Sequence, residues 1–496
     1  MLKFSAKKII IVISVLLNLG IVTPVFAIDP NAFYVDKDHP SASNQNPGSA
    51  SLPWKTIQHG VNQMAPGRRL YVRESITPYF EPYRVSGADV GGISISVSGT
   101  AVNKIYIEGY PGDNVIIDQQ RGMSSLRAED GMPDSPTASK ILLGFYIHQG
   151  HHIVIKNFEV TQCHGSCISL NPAAENDGIV IENNHVHQAY AGDNVGGVRL
   201  DHANDCIVRN NIIHDIYSNR RTSNPYTSEP YGFDSGIHGF EPGNCLIEHN
   251  VIYNVDRAIF AKSSDRDSLN SHTVRRNIFY NNAHSAFSME VAGVGSPAAL
   301  NAKFYENIVY NSNAGVSSVL GATNGQSTNI DIYNNTFHNL THGVGLEGQV
   351  GIEVHSNIFS NIQNSNIGTT DPGDSFGNIN KIDYIDNNLY FNQNAEWRLE
   401  FYAPNVEVSR SLAEWQQAFT NSNLSVLSSN PDINAVTGDP DFLNVAENDF
   451  RVPTSSLASP ASQNGRNNKG IGAYGLGATV IGINNVVRPK AITDLH

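Results

Sequence analysis

The chain has 496 residues, of which 16% are charged and 40% hydrophobic, and a formal charge of −14. A chain this long buries its own core without needing a disulfide scaffold. The acidic balance excludes nucleic acid as a partner, since phosphate binding needs a basic footprint, and a polyanionic substrate would need a local cationic patch or a bridging metal.

The chain opens on a targeting signal. Lys3, Lys7 and Lys8 precede the apolar run Ile9 to Val22, and Val25-Phe26-Ala27 offers small residues for cleavage. Residues 1–27 are therefore read as a signal peptide with the mature chain starting at Ile28. Removing three Lys and no acid takes the charge from −14 to −17. No second long apolar stretch follows, so no membrane span is expected. The mature protein is expected to be secreted or periplasmic, and a monomer.

Pro53-Trp54-Lys55-Thr56-Ile57-Gln58-His59-Gly60-Val61 predicts a short amphipathic cap helix ahead of the first strand. Leu70-Tyr71-Val72 and Lys104 to Glu108 predict the first strands. A repeat then sets in, marked by Asn157, Asn184, Asn211, Asn250, Asn277, Asn307, Asn335, Asn357 and Asn388, each followed by apolar or β-branched residues. A second Asn often sits four positions later, as at Asn254, Asn281, Asn311, Asn339, Asn361 and Asn392. One such unit cannot bury its apolar face alone, so units stack and share a core. Stacked Asn side chains can bond along the axis and satisfy turn backbone. The pattern predicts an all-β solenoid, a right-handed single-stranded parallel β-helix. The Leu-x-x-Leu-x-Leu pattern of a Leu-rich horseshoe is absent. After Asn388 the repeat weakens, and Asp439 to Phe442, Asp449 to Arg451 and Gly472 to Gly475 predict a closing segment. The β-helix domain with this segment is drawn at 28–480, and 481–496 is a tail.

The four Cys fit the same period. Cys206 and Cys245 each lie five before a ladder Asn, so they should stack on adjacent coils, bonded or as a free ladder. Cys163 and Cys167 flank His164-Gly165 and can pair locally. The position three after the ladder Asn reads His187, His214, Tyr253, Tyr280, Tyr310, His338. A metal would explain the two His, but a stacked aromatic column explains the whole series, because Tyr replaces His freely.

The cap, the Asn-marked coils and the closing segment resemble the pectate-lyase-like β-helix superfamily over nearly all of residues 30–480. The resemblance implies the fold strongly and the reaction weakly, because hydrolases, lyases, esterases, epimerases and adhesins share this shape.

On a repeat, a charged residue that breaks its column is a site candidate. Strand alternation puts Ser169, Arg199, His238, Phe260, Ser288 in one outward column and Asn171, Asp201, Phe240, Lys262, Glu290 in the next. Glu241, His202, Asp265 and Arg266 follow in the adjoining turns. Later coils carry Ser317, Val319 and Gly345 there. The 39-residue coil adds a loop with Arg220, Arg221, Tyr226 and Tyr231, suited to a sugar carboxylate and sugar rings. Residues 199–276 hold nine Lys and Arg against ten Asp and Glu, so these coils are the least acidic part of the chain.

β-Elimination on a uronate chain needs the carboxylate neutralised and the C5 proton removed. β-Helix lyases similar to pectate lyase or chondroitinase B use Ca2+ or Arg for the first task and Lys or Arg for the second. That resemblance implies Lys262 as base, Arg266 and Arg199 on the carboxylate, and His238 as proton donor. Arg220, Arg221, Tyr226, Tyr231 and Glu290 would bind the chain, and Asp201, Glu241 and Asp265 would hold Ca2+. The Gly-Phe-Lys-Leu-Gly-like and Arg-His-Gly contexts of two lyase groups are absent. The alternatives are a glycoside hydrolase using Asp201 and Glu241, a C5-epimerase, and a non-catalytic carbohydrate-binding protein.

Overall fold

The structure is a computed structural model. It describes residues 28–81, 90–119, 141–171, 174–191, 195–218, 234–240, 242–263, 270–291, 300–320, 327–347, 350–370, 381–391, 395–400, 406–421 and 430–482. Each full coil contributes one strand to each of three long sheets. A representative coil runs Val180–Glu182, His185–Ala191, Gly196–Arg199, and the next runs Ile207–Arg209, Ile212–Ser218, Ser235–Phe240. Among the described residues the sheets hold 12, 11 and 12 strands, nearly all parallel to their neighbours. The first, second and third sheets are named here in that chain order. This is a parallel β-helix, and right-handed crossovers are the rule for parallel strands.

The turn between the first and second sheets fixes the register. Asn184, Asn211, Asn250, Asn277, Asn307, Asn335, Asn357 and Asn388 are buried in one line. The Asn211 Oδ1 accepts from the Asn184 backbone N–H at 2.9 Å, and the Asn250 Oδ1 from that of Asn211 at 2.9 Å. Each Nδ2 donates onward, as from Asn250 to Asn277 Oδ1 at 3.0 Å. The ladder ends where Asn388 Nδ2 donates to Asp432 Oδ1 at 2.9 Å. A buried amide with every bond made is stabilising, and one left unmade costs about 1–3 kcal/mol.

Asn157 is a correction to the expected ladder. Glu159 pairs with His185, so Phe158, not Asn157, stands opposite Asn184. Asn157 belongs to the preceding column with Asn183, Asn210 and Asn334, all at positive φ. Asn is favoured there because its short side chain tolerates the left-handed region, so two different columns select the same residue. The second Asn row is another left-handed column, at Asn254, Asn281, Asn311, Asn339 and Asn361.

The ends also differ in detail from expectation. The strand Phe33–Val35 comes before the helix Ile57–Asn62 and pairs with Arg69–Val72, so the helix follows the first strand. At the far end, Glu396–Glu400 pairs antiparallel with Val406–Ser409, and the helix Leu412–Asn421 brings buried Trp415 onto Trp397. That arrangement closes the open edge. Residues 439–482 instead run back along the outside of the second sheet. Phe450, Ala473 and Ile481 pack on Ile308 and Tyr310, while Ala458 and Ile471 pack on Ile358 and Leu389. Outward apolar residues of the late coils are the reason: left bare, they would expose a continuous apolar strip.

Both expected cysteine pairs are disulfides, Cys163–Cys167 and Cys206–Cys245. The aromatic column is also found: His187–His214, His214–Tyr253, Tyr253–Tyr280 and Tyr280–Tyr310 stack at 4.6–5.0 Å. No helix of the described residues is long and apolar enough to cross a membrane.

Candidate active site on the third sheet

The third sheet carries the expected columns in the expected register. Ser169 pairs with Arg199, Arg199 with His238, His238 with Phe260, and Phe260 with Ser288. Phe240 pairs with Lys262 and Lys262 with Glu290. Ile237, Ile259 and Ala261 lie in the core, so the residues between them face out. Lys262 is partly exposed and outside the core.

The outward column is less open than a plain surface. His238 and Phe260 are each 2% exposed, although neither belongs to the core cluster. Their rings meet at 5.2 Å, and the Arg257 guanidinium lies 5.4 Å from the Phe260 ring. His238 is thus a floor residue. That moves the proton-donor role expected of it away from a substrate-contacting position.

Arg199 and Asp201 form one unit. Two residues apart on a strand end, they face the same way, and Arg199 Nε donates to Asp201 Oδ2 at 2.5 Å. Asp201 is fully buried. Burial pushes its carboxyl above the usual range, while Arg199 and the Phe240 backbone N–H pull the other way. A held, buried carboxylate of this kind orients an Arg. It does not have the open face that a hydrolytic acid or base needs, which weighs against a hydrolase using Asp201.

Arg220, Arg221, Tyr226, Tyr231, Glu241, Asp265 and Arg266 lie outside the described residues, as does the side chain of Glu290. The structure therefore brings together Arg199, Asp201, His238 and Lys262 from the expected set. For Ca2+, the described residues supply one carboxylate here, Asp201, and Arg199 already occupies one of its oxygens. The other two expected Ca2+ ligands, Glu241 and Asp265, lie outside the described residues.

Tyr146 was missed by the sequence columns. It pairs with Ser169 one coil before Arg199, and Arg199 opposes the upward push of burial on its hydroxyl. Its coil precedes the Asn repeat, so no ladder residue marked its register. A separate groove of about 560 Å³ lies on the first sheet, lined in part by Asn301, Lys303, Asp331 and Glu353. There burial, then Glu353, pushes Asp331 up to about 6. Glu353 is ion-paired with Arg466, so this group is internally compensated.

A profile of the family described as "Right handed beta helix region" matches residues 143–329. A search of curated proteins returned no match. Among solved structures, pectate lyase Pel9A is similar at TM-score 0.52 and 15% identity, covering 89% of this chain and 95% of that one. A polysaccharide lyase of family PL6 from Pseudopedobacter saltans is similar at TM-score 0.44 and 10% identity, covering 86% and 97%. A GH136 lacto-N-biosidase from Eubacterium ramulus is similar at TM-score 0.40 and 12% identity, covering 75% and 68%. Register, ladder and likeness together make the chain a right-handed parallel β-helix, of the same fold as the pectate lyase Pel9A.

Proposed function

We propose that this protein is an exported polysaccharide-degrading enzyme, a lyase that cleaves a uronate-containing chain by β-elimination. One observation carries the proposal. Arg199 and Lys262 face out from the third sheet two coils apart, with His238 of the intervening coil between them as floor. The later coils of the same sheet carry Ser317 and Gly345 in that register. The pectate lyase likeness in fold supports a sugar-polymer substrate, and the acidic chain makes a local cationic focus meaningful.

In this reading Arg199, pinned by Asp201, pairs with the uronate carboxylate and stabilises the charge that develops on it. Lys262, as the neutral amine, takes the C5 proton. The C5–H electrons form the C4–C5 double bond as the C4–O4 bond breaks, and the leaving oxygen takes a proton from solvent. Arg266, together with Arg220, Arg221, Tyr226 and Tyr231 of the long loop, would extend the grip along the chain. Ca2+ enters only if Glu241 and Asp265 join Asp201. Without it activity survives a chelator.

The test is purified protein against a panel of uronate polymers, followed by the ultraviolet absorbance of the unsaturated product. Absorbance that is lost in Lys262→Ala is the expected result. New reducing ends without absorbance would move the assignment to a hydrolase. Binding without chain cleavage would make the protein a carbohydrate-binding β-helix.

A further inference from the structure

The aromatic column on the outside of the second sheet accounts for His187 and His214. It does not account for His185. His185 stands in the neighbouring outward column, which continues as Ile212, Val251, Ile278 and Ile308. A polar ring breaks an apolar series there. The reason is local. His185 and His187 are two apart on the strand His185–Ala191 and share its outer face. The next coil sets His214 beside His187, and the previous coil sets Glu159 beside His185.

We propose that Glu159, His185, His187 and His214 form a binding site for a divalent transition-metal ion, Zn2+ foremost. The proposal does not rest on the lyase reading. Three imidazoles gather within ring-centroid distances of 4.4–5.0 Å. His185 Nε2 faces His214 Nε2 at 2.7 Å. One donor atom each from Glu159, His185 and His187 lie within 4.8 Å of one another.

The groups behind the ligands are those that ligands need. Asp215 Oδ2 holds His214 Nδ1 at 2.9 Å, and Thr161 Oγ1 lies 3.2 Å from His187 Nδ1. Each leaves the Nε2 of its ring for the cluster. A carboxylate on the far nitrogen is the usual support of a metal-bound His. Glu159 Oε1 meets His187 Nε2 at 3.3 Å, while Glu159 Oε2 and His185 Nδ1 are buried without a hydrogen-bond partner.

Only a small movement separates this arrangement from a loaded one. Two nitrogens on one tetrahedral ion with bonds of ~2.0–2.1 Å stand about 3.3 Å apart. The 2.7 Å contact must therefore open by roughly half an ångström, with the ion replacing the shared proton. The side chains of Glu159, His187 and His214 are each 13% exposed, so an ion can reach them. Imidazole nitrogen suits Zn2+, Cu2+ and Ni2+, whereas Ca2+ seeks oxygen. Both described cysteine pairs are disulfides, so no thiolate competes.

The experiment uses the full mature chain, stripped with a chelator and dialysed against Zn2+, with the bound metal measured by elemental analysis. The expected result is about one Zn2+ per chain, unaffected by excess Ca2+, with four-coordinate nitrogen-rich absorption when Co2+ is substituted. His185→Gln should abolish stoichiometric uptake. Asp215→Asn should weaken binding ~10–100-fold. Tyr253→Phe and His355→Gln, which lie outside the cluster, should bind as the parent does. No stoichiometric uptake of Zn2+, Cu2+ or Ni2+ by the parent chain would overturn the proposal. So would equal affinity in folded His185→Gln. If that variant does not fold, an all-oxygen six-coordinate Co2+ spectrum in the parent chain would overturn it.

Discussion

The coils of residues 141–263 and those of residues 270–391 share one register but differ in what fills it. In the late coils, Phe287–Phe304, Phe304–Phe337, Phe337–Phe359 and Phe359–Tyr390 stack through the interior at 5.3–6.5 Å. The outside of their second sheet is apolar and covered by residues 439–482. The outside of their third sheet carries Ser288, Ser317 and Gly345. In the early coils one aromatic pair, Phe145–Phe158, gives way to an interior mostly of Ile and Val with two disulfides. Their second sheet carries the imidazole cluster, and their third sheet carries Arg199, His238 and Lys262. On the proposed function, one ladder supports a scaffold half and a chemical half. Turnover should respond to outward changes in the second, and interior changes in the first should move stability without touching turnover.

The largest expected effect is on turnover in the early half. Lys262→Ala should lower elimination by ~10²–10⁴-fold, with thermal unfolding moved by no more than about 0.5 kcal/mol. Ser317→Ala, in the late half of the same sheet, should move neither. A Lys262→Ala protein with full activity would remove the chemical half of the contrast. Next in size is Phe337→Ala in the late half. The ring is fully buried between Phe304 and Phe359, so its loss should cost about 3–5 kcal/mol in urea unfolding. Activity per folded molecule should stay unchanged.

The fold was legible because a solenoid repeats its instructions. Asn211, Asn250 and Asn277 all answer one requirement, a buried amide bridging adjacent coils, and eight residues answering alike are hard to misread. Asn157 shows the limit. A left-handed turn position selects Asn for another reason, and spacing alone cannot separate the two columns. The site was legible in direction, since strand alternation fixes which side chains face out. Burial was not legible. His238 faces out and is still buried, with its ring against that of Phe260 one coil on. The His185–His214 contact runs diagonally between two columns of adjacent coils, and a column read one place at a time hides it.

A third effect sharpens the contrast in what holds each interior. The Cys206–Cys245 bond joins adjacent coils across a sequence separation of 39 residues. Chain entropy gives its removal, as Cys206→Ser with Cys245→Ser, a cost of about 4 kcal/mol, against about 2 kcal/mol for the short Cys163–Cys167 loop. The measurement is the unfolding midpoint with and without reductant. A parent chain insensitive to reductant would mean that the early half stands on its aliphatic packing alone.

The smallest effect concerns the boundary between the halves, and it depends on pH. The inward column runs Cys245, His272, Ala302, Ile330, so an imidazole follows the disulfide where the small late-coil residues begin. Burial alone pushes His272 down to about 4, and its Nε2 is buried with no hydrogen-bond partner. The unfolded chain binds this proton near an ordinary value of about 6.5. Between these values the unfolded state holds more protons than the folded one, so stability rises with pH. The neutral-ring state is therefore fully stabilising above about 6.5 and is lost as pH falls to about 4, by on the order of 3 kcal/mol in all. Asp331 works in the opposite direction. Its carboxyl is raised to about 6, so over the range up to that value its contribution falls as pH rises. His272→Leu should remove most of the acid loss below pH 6.5 and leave the Asp331 trend visible, while Asp331→Asn should steepen the acid loss. Denaturant midpoints taken across that range separate the two. If His272→Leu loses as much stability as the parent, the ring is solvated, and the early half opens at this boundary more readily than its packing implies.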